Sequence, residues 1–171
     1  MSKTNSPKIV FVEDDPDQME LLIQFALDEI SQLAEHANTS NAQKELLHSI
    51  KLLKVTNVGS LKQAVTKYQD IFLVVLDCNI PDDKDGESND QLVKANHRIT
   101  GNHNAVDVII EHLPNAAITL ISSMNRFRKI VYEHYASDEN VEITFISKSD
   151  QEMIQRNLAY YLRRYIRQDS Q

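Results

Sequence analysis

Residues 71–81 read IFLVVLDCNIP. Six apolar residues end on Asp77, and Pro81 stops the run shortly after. An apolar stretch this short and this continuous predicts a strand covered on both faces, as in a parallel sheet. A carboxylate directly after such a strand stands at the rim of the sheet. The same pattern recurs at 8–13 (KIVFVE), 117–122 (AITLIS) and 142–147 (EITFIS), with a weaker version at 52–58.

Segments of helical period separate these runs. Asp15-Pro16-Asp17-Gln18 predicts a helix start, with Asp15 as N-cap and proline in the first turn. Met19, Leu22, Ile23, Ala26, Ile30 and Leu33 follow as one stripe. Ser60 with Gln63, and Ser149 with Glu152, have the spacing of capping boxes and predict two further helix starts. Val106, Ile109, Ile110 and Leu113 mark another helix, stopped by Pro114. Phe127, Ile130, Val131 and Tyr135 mark one more. Strand and helix therefore alternate, and right-handed crossovers give a parallel sheet with helices on both faces. In such sheets the reactive site lies outside the carboxyl ends of the strands. Two stretches exceed this plan. Residues 34–51 contain a turn at 38–41 and a short helix over 43–51, and residues 82–100 form a polar loop after the third strand.

The chain has 171 residues, 42% of them apolar and 25% charged, which fits one domain spanning 8–167 with a full core. A net charge of −7 argues against a nucleic-acid binder that works by neutralising phosphates. No apolar run approaches the roughly 20 residues that span a bilayer. The polar start MSKTNSP lacks the apolar centre of a signal peptide, and the one cysteine, Cys78, excludes an internal disulfide. A cytoplasmic protein without a membrane segment is expected.

Polar groups stand where the strands end. Glu13, Asp14 and Asp15 follow the first, Asp77 the third, Ser122 and Ser123 the fourth, and Lys148 the fifth. Singly, each has a plainer reading: Asp77 as a turn former, Glu13 and Asp14 as helix caps, Lys148 as a solvated loop cation. Their coincidence at four strand ends favours a common site. Packed carboxylates repel unless a proton or a cation compensates, and hard oxygen ligands suit Mg²⁺. A carboxylate nucleophile, a metal ion and a lysine are the parts that phosphoryl transfer to aspartate requires. Other candidates are weaker. The acidic run 82–87 lacks the glycine of a calcium loop, and the six histidines show no HExxH spacing. Arg156, Arg163, Arg164 and Arg167 form either a docking patch or a complement to a helix C-terminus.

In this order the motifs resemble the receiver domain of two-component response regulators. Glu13-Asp14 matches the family's acidic pair, and Asp77-Cys78-Asn79-Ile80-Pro81 its Asp-x-x-Met/Ile-Pro phosphoacceptor motif. Ser122 matches its Ser/Thr after the fourth strand, Lys148 its lysine after the fifth, and Phe145 its aromatic switch position. The resemblance implies a flavodoxin-like α/β fold, a doubly wound five-stranded parallel sheet of order 2-1-3-4-5. The first helix region would be extended and a loop inserted after strand 3. It also implies that Asp77 accepts a phosphoryl group from a histidine kinase or histidine phosphotransfer protein. Asp14, Asp77 and the backbone carbonyl of Asn79 would hold Mg²⁺, with Glu13 assisting through water. Lys148 and Ser122 would contact phosphoryl oxygens, and Phe145 would turn inward as Ser122 closes. A chain with no output domain would signal through a downstream protein target. The alternative is a phosphorylation-independent pseudo-receiver that only binds partners. Enzymes with an aspartyl-phosphate intermediate of the haloacid-dehalogenase type carry a second Asp where Asn79 stands, so turnover catalysis is not expected. Two departures stand out. Ser149 replaces the proline usual after the lysine, and the family's glycine after the Asp77 motif is either Gly86 or Gly101, with Gly101 preferred.

Overall fold

The computed structural model describes residues 6–80, 101–123, 135 and 141–168. Five strands, β1 (Lys8–Val12), β2 (Lys51–Val55), β3 (Ile71–Asp77), β4 (Ala117–Ser122) and β5 (Ile143–Ser147), pair in parallel in the order β2-β1-β3-β4-β5. The expected order is the observed one. β1 and β4 are buried along their whole length and β3 almost so, which is why they read as unbroken apolar runs. The edge strand β2 carries exposed Lys51 and Lys54, charges that blunt an open edge.

Helix α1 (Pro16–Glu35) begins as predicted: Oδ1 of Asp15 accepts from the backbone N–H groups of Asp17 and Gln18 at 2.9 and 3.2 Å. Its whole predicted stripe is buried. α1, α2 (Asn41–Ser49) and α5 (Gln151–Gln168) cover one face of the sheet, while α3 (Val58–Lys67) and α4 (Gly101–His112) cover the other. The extra helix α2 is thus an addition to the α1–α5 flank. Leu47 is fully buried there, a contribution of about 1.5–3 kcal/mol.

Several predicted boundaries shift. β2 ends at Val55, not 58, because Asn57 caps α3: its Oδ1 accepts from the Ser60 N–H at 2.7 Å. Ser60 is therefore inside the helix rather than its cap. α5 is capped by Asp150, whose Oδ1 accepts from the Met153 N–H at 3.1 Å, while Ser149 pairs its hydroxyl with Ser147 at 2.9 Å. α2 runs Asn41–Ser49 rather than 43–51: it starts on a reciprocal capping box of Ser40 and Gln43, and Lys51 already belongs to β2. Asx and Ser side chains compete for the same orphan N–H groups, and at α3 and α5 the Asx side chain holds the cap. α4 starts on Gly101, ahead of the stripe that begins at Val106. Tyr135 is helical, and the remainder of the helix predicted around Phe127–Val131 lies outside the described residues, as does the loop 82–100. Among the described residues no helix is long and apolar enough to cross a membrane.

Candidate functional site

All five strands run the same way, so their carboxyl ends share one edge. β1 and β3 are neighbours, which sets Glu13 beside Asp77; β4 and β5 add Ser122 and Lys148 in turn. Backbone hydrogen bonds fix this edge. The Glu13 N–H donates to Val55 O, Cys78 to Ile121 O and Lys148 to Ser122 O, at 3.0, 2.9 and 2.9 Å. Asp15 is occupied in capping α1, which leaves Asp14 exposed at the mouth.

Carboxylate oxygens of Glu13, Asp14 and Asp77 lie within 4.8 Å of one another. Glu13 and Asp77 are buried, and Asp14 faces solvent. Lys148 reaches back across β4 to Asp77 and on past β3 to Glu13: its Nζ is 2.7 Å from Asp77 Oδ2 and 2.8 Å from Glu13 Oε2. The Asp77 contact is a directed hydrogen bond. The Glu13 contact is an ion pair poorly aligned for one, and buried Oε2 has no hydrogen-bond partner among the described residues. Each acid is also held from below. The Asn79 N–H donates to Asp77 Oδ1 at 3.2 Å, and the Asp15 N–H to Glu13 Oε1 at 3.1 Å.

The electrostatics follow from two buried carboxylates sharing one ammonium. Burial, and then the charge of Asp77, push the Glu13 carboxyl from 4.5 up to about 7, against the opposing pull of Lys148. Burial alone would lower the Lys148 ammonium; its hydrogen bond to Asp77 and its ion pair with Glu13 outweigh that and raise it. Burial also lifts the Cys78 thiol above its ordinary range, so Cys78 is an inert core thiol.

A divalent cation fits this arrangement. The donors are hard oxygens, one of them a buried oxygen lacking a directed partner, and Asp14 supplies a solvent-facing third side. Of the residues singled out in the sequence, Glu13, Asp14, Asp77 and Lys148 come together, with Ser122 buried at the adjoining strand end. Asn79 is exposed just beyond Asp77. Phe145 stays out of the cluster. It sits beside Leu120 on β5, half-buried against the flank that carries α3 and α4. Sequence reading missed the Lys148–Glu13 contact, because it crosses two intervening strands, β3 and β4, and no local spacing encodes it.

No protein-family model and no curated protein matches the sequence. Solved structures do match. A signal receiver domain from Vibrio parahaemolyticus aligns over 95% of this chain and 95% of its own, with 15% identity and a TM-score of 0.60. A response regulator receiver domain protein from Bacillus halodurans gives 0.54 at 10% identity, over 91% of this chain and 97% of its own. The BeF3-activated DrrB receiver domain gives 0.54 at 13% identity, over 91% and 97%. At such identities the likeness is one of fold. In strand order, parallel pairing and helices on both faces, the chain has the fold of response-regulator receiver domains.

Proposed function

We propose that this chain is a phosphoacceptor switch that takes a phosphoryl group onto Asp77 from a histidine kinase or a histidine phosphotransfer protein. The observation that carries this reading is the cluster itself, in which Asp77 is buried, oriented by Lys148 and Asn79, and within 4.8 Å of Glu13 and Asp14. An Asp77 oxygen attacks phosphorus in line. The P–O bond forms as the phosphohistidine P–N bond breaks, and the departing imidazole nitrogen takes up a proton. The product is an acyl phosphate on Asp77.

Glu13, Asp14, Asp77 and the Asn79 carbonyl are the groups that would hold Mg²⁺, which offsets negative charge on the transferring group. Lys148 holds Asp77 before transfer and pairs with a phosphoryl oxygen after it. Ser122 donates its hydroxyl to another. That closure draws Phe145 inward from its half-buried place on β5 and changes the surface a partner protein meets. The chain acts through those contacts and not by turnover of a substrate.

Beryllofluoride, a mimic of the acyl phosphate, tests this by two-dimensional NMR. The expected result is Mg²⁺-dependent shifts at 13–14, 77–79, 122 and 145–148, absent in Asp77→Asn. A folded protein with no such shifts would favour the partner-binding pseudo-receiver.

A further inference from the structure

The insert at 34–51 takes no part in the acidic cluster. It comprises the end of α1, a connection and α2, and Leu47 anchors it in the core shared with α1 and α5. Its amino-terminal end and the last turns of α5 enclose an open cavity of about 400 Å³. Arg163, Arg167, His36, Asn38, Thr39 and Gln43 line it, and Leu33 and Ile166 supply an apolar floor. No carboxylate lines it among the described residues.

On a protein of net charge −7 a cavity with this lining calls for a reason. Two of the α5 arginines are matched: Arg156 by Glu152 and Arg164 by Glu142. Arg163 and Arg167 make no ion pair among the described residues, although Arg163 lies near enough to Glu29 to favour its charged form. Arg167 stands in the last turn of α5, where a cation complements the helix carbonyls. Arg163 is a full turn earlier, so helix polarity does not account for it. Of the neutral groups, His36 is turned to offer a donor. The Asn38 N–H donates to His36 Nδ1 at 3.3 Å, which leaves the imidazole proton on Nε2. Thr39 is fixed by its hydroxyl bond to Leu33 O at 2.7 Å.

We propose that this cavity is a binding site for a small phosphate-bearing molecule. Two guanidinium forks four residues apart on one helix face suit a phosphate, which they can grip bidentately. His36 and Asn38 add polar partners, and the floor of Leu33 and Ile166 supports an organic body. The volume falls in the range of small-molecule pockets, about 300–1,000 Å³. α1 begins beside the acidic cluster and the cavity sits at its other end. Its 20 residues put about 30 Å between the two sites. A ligand there makes no direct contact with the Asp77 cluster.

Inorganic pyrophosphate and adenosine monophosphate are the probes, titrated separately and followed by backbone and arginine side-chain NMR. The expected result is a saturable response confined to 33–43 and 163–167 and unchanged in Asp77→Asn. Arg163→Gln should weaken it by about tenfold, as for loss of one charge-assisted contact, and Arg163→Gln/Arg167→Gln should abolish it. Should the double variant fail to fold, His36→Ala and the single arginine variant decide in its place. Non-saturating shifts, shifts spread over the surface, or equal affinity in the variants would overturn the proposal. So would saturation by a short polyglutamate peptide where both phosphates fail, which would make the face a protein-docking surface.

Discussion

The two ends of the sheet each bury a lysine against an aspartate, and they differ in charge balance. At the amino end Lys8 meets Asp70 at 2.5 Å, with side chains 8% and 16% exposed, and a further bond from Lys8 to Ser6 O at 2.6 Å completes the pair. One cation faces one anion. At the carboxyl end one cation, Lys148, faces two buried acids, with Asp14 beside them. A matched pair is a structural fastening. A surplus of buried negative charge has to be met by a proton or a cation, and Glu13 carries the strain as a raised affinity for its proton.

The largest effect expected from this contrast follows Lys148→Ala. Without divalent cation the variant should lose about 3 kcal/mol, because two carboxylates stay buried without their ammonium. Urea unfolding with Mg²⁺ should recover part of that loss by binding linkage, and phosphoryl uptake should vanish. Absence of any recovery in Mg²⁺ would break the claim that the surplus calls for a cation. Lys8→Ala should cost slightly less, about 2–3 kcal/mol, with no Mg²⁺ recovery and no change in phosphoryl uptake. Equal Mg²⁺ sensitivity at the two ends would erase the distinction.

A third effect is read against pH. Between pH 4.5 and about 7 the folded protein keeps the Glu13 proton that the unfolded chain has released. The stabilisation is complete below 4.5 and is lost as pH rises through about 7, with a slope of at most about 1.4 kcal/mol per pH unit. Glu13→Gln, unfolded in urea across that window, should flatten the slope, and so should Mg²⁺. The smallest effect belongs to the surface pair of Lys54 and Glu20, both well exposed. Lys54→Ala should change stability by less than about 1 kcal/mol, less still in salt.

Much of this was legible in the sequence, for a physical reason. Buried parallel strands write themselves as continuous apolar runs, and the residue that ends each run lies at one shared edge, so Asp77, Glu13, Ser122 and Lys148 could be placed together. Helix starts were legible where a single cap competes, as at Asp15. They were misread at Ser60 and Ser149, where Asn57 and Asp150 offer a second acceptor nearby. Long-range polar pairing was not legible. Thr119 is fully buried in β4 yet satisfied by Asn157 of α5 at 2.6 Å, and Lys148 finds Glu13 across two intervening strands. Nor did the sequence mark Arg163 and Arg167 off from Arg156 and Arg164, because only the fold decides which arginines meet a carboxylate.

The central claim is that the unbalanced end of the sheet is built to take a phosphoryl group on Asp77. Incubation with acetyl phosphate, with and without Mg²⁺, read by intact mass on the wild-type chain and on Asp77→Asn, tests it most directly. The account predicts one phosphoryl group gained only with Mg²⁺ and only when Asp77 is present. A folded wild-type chain that gains none, or a gain that persists in Asp77→Asn, would contradict it.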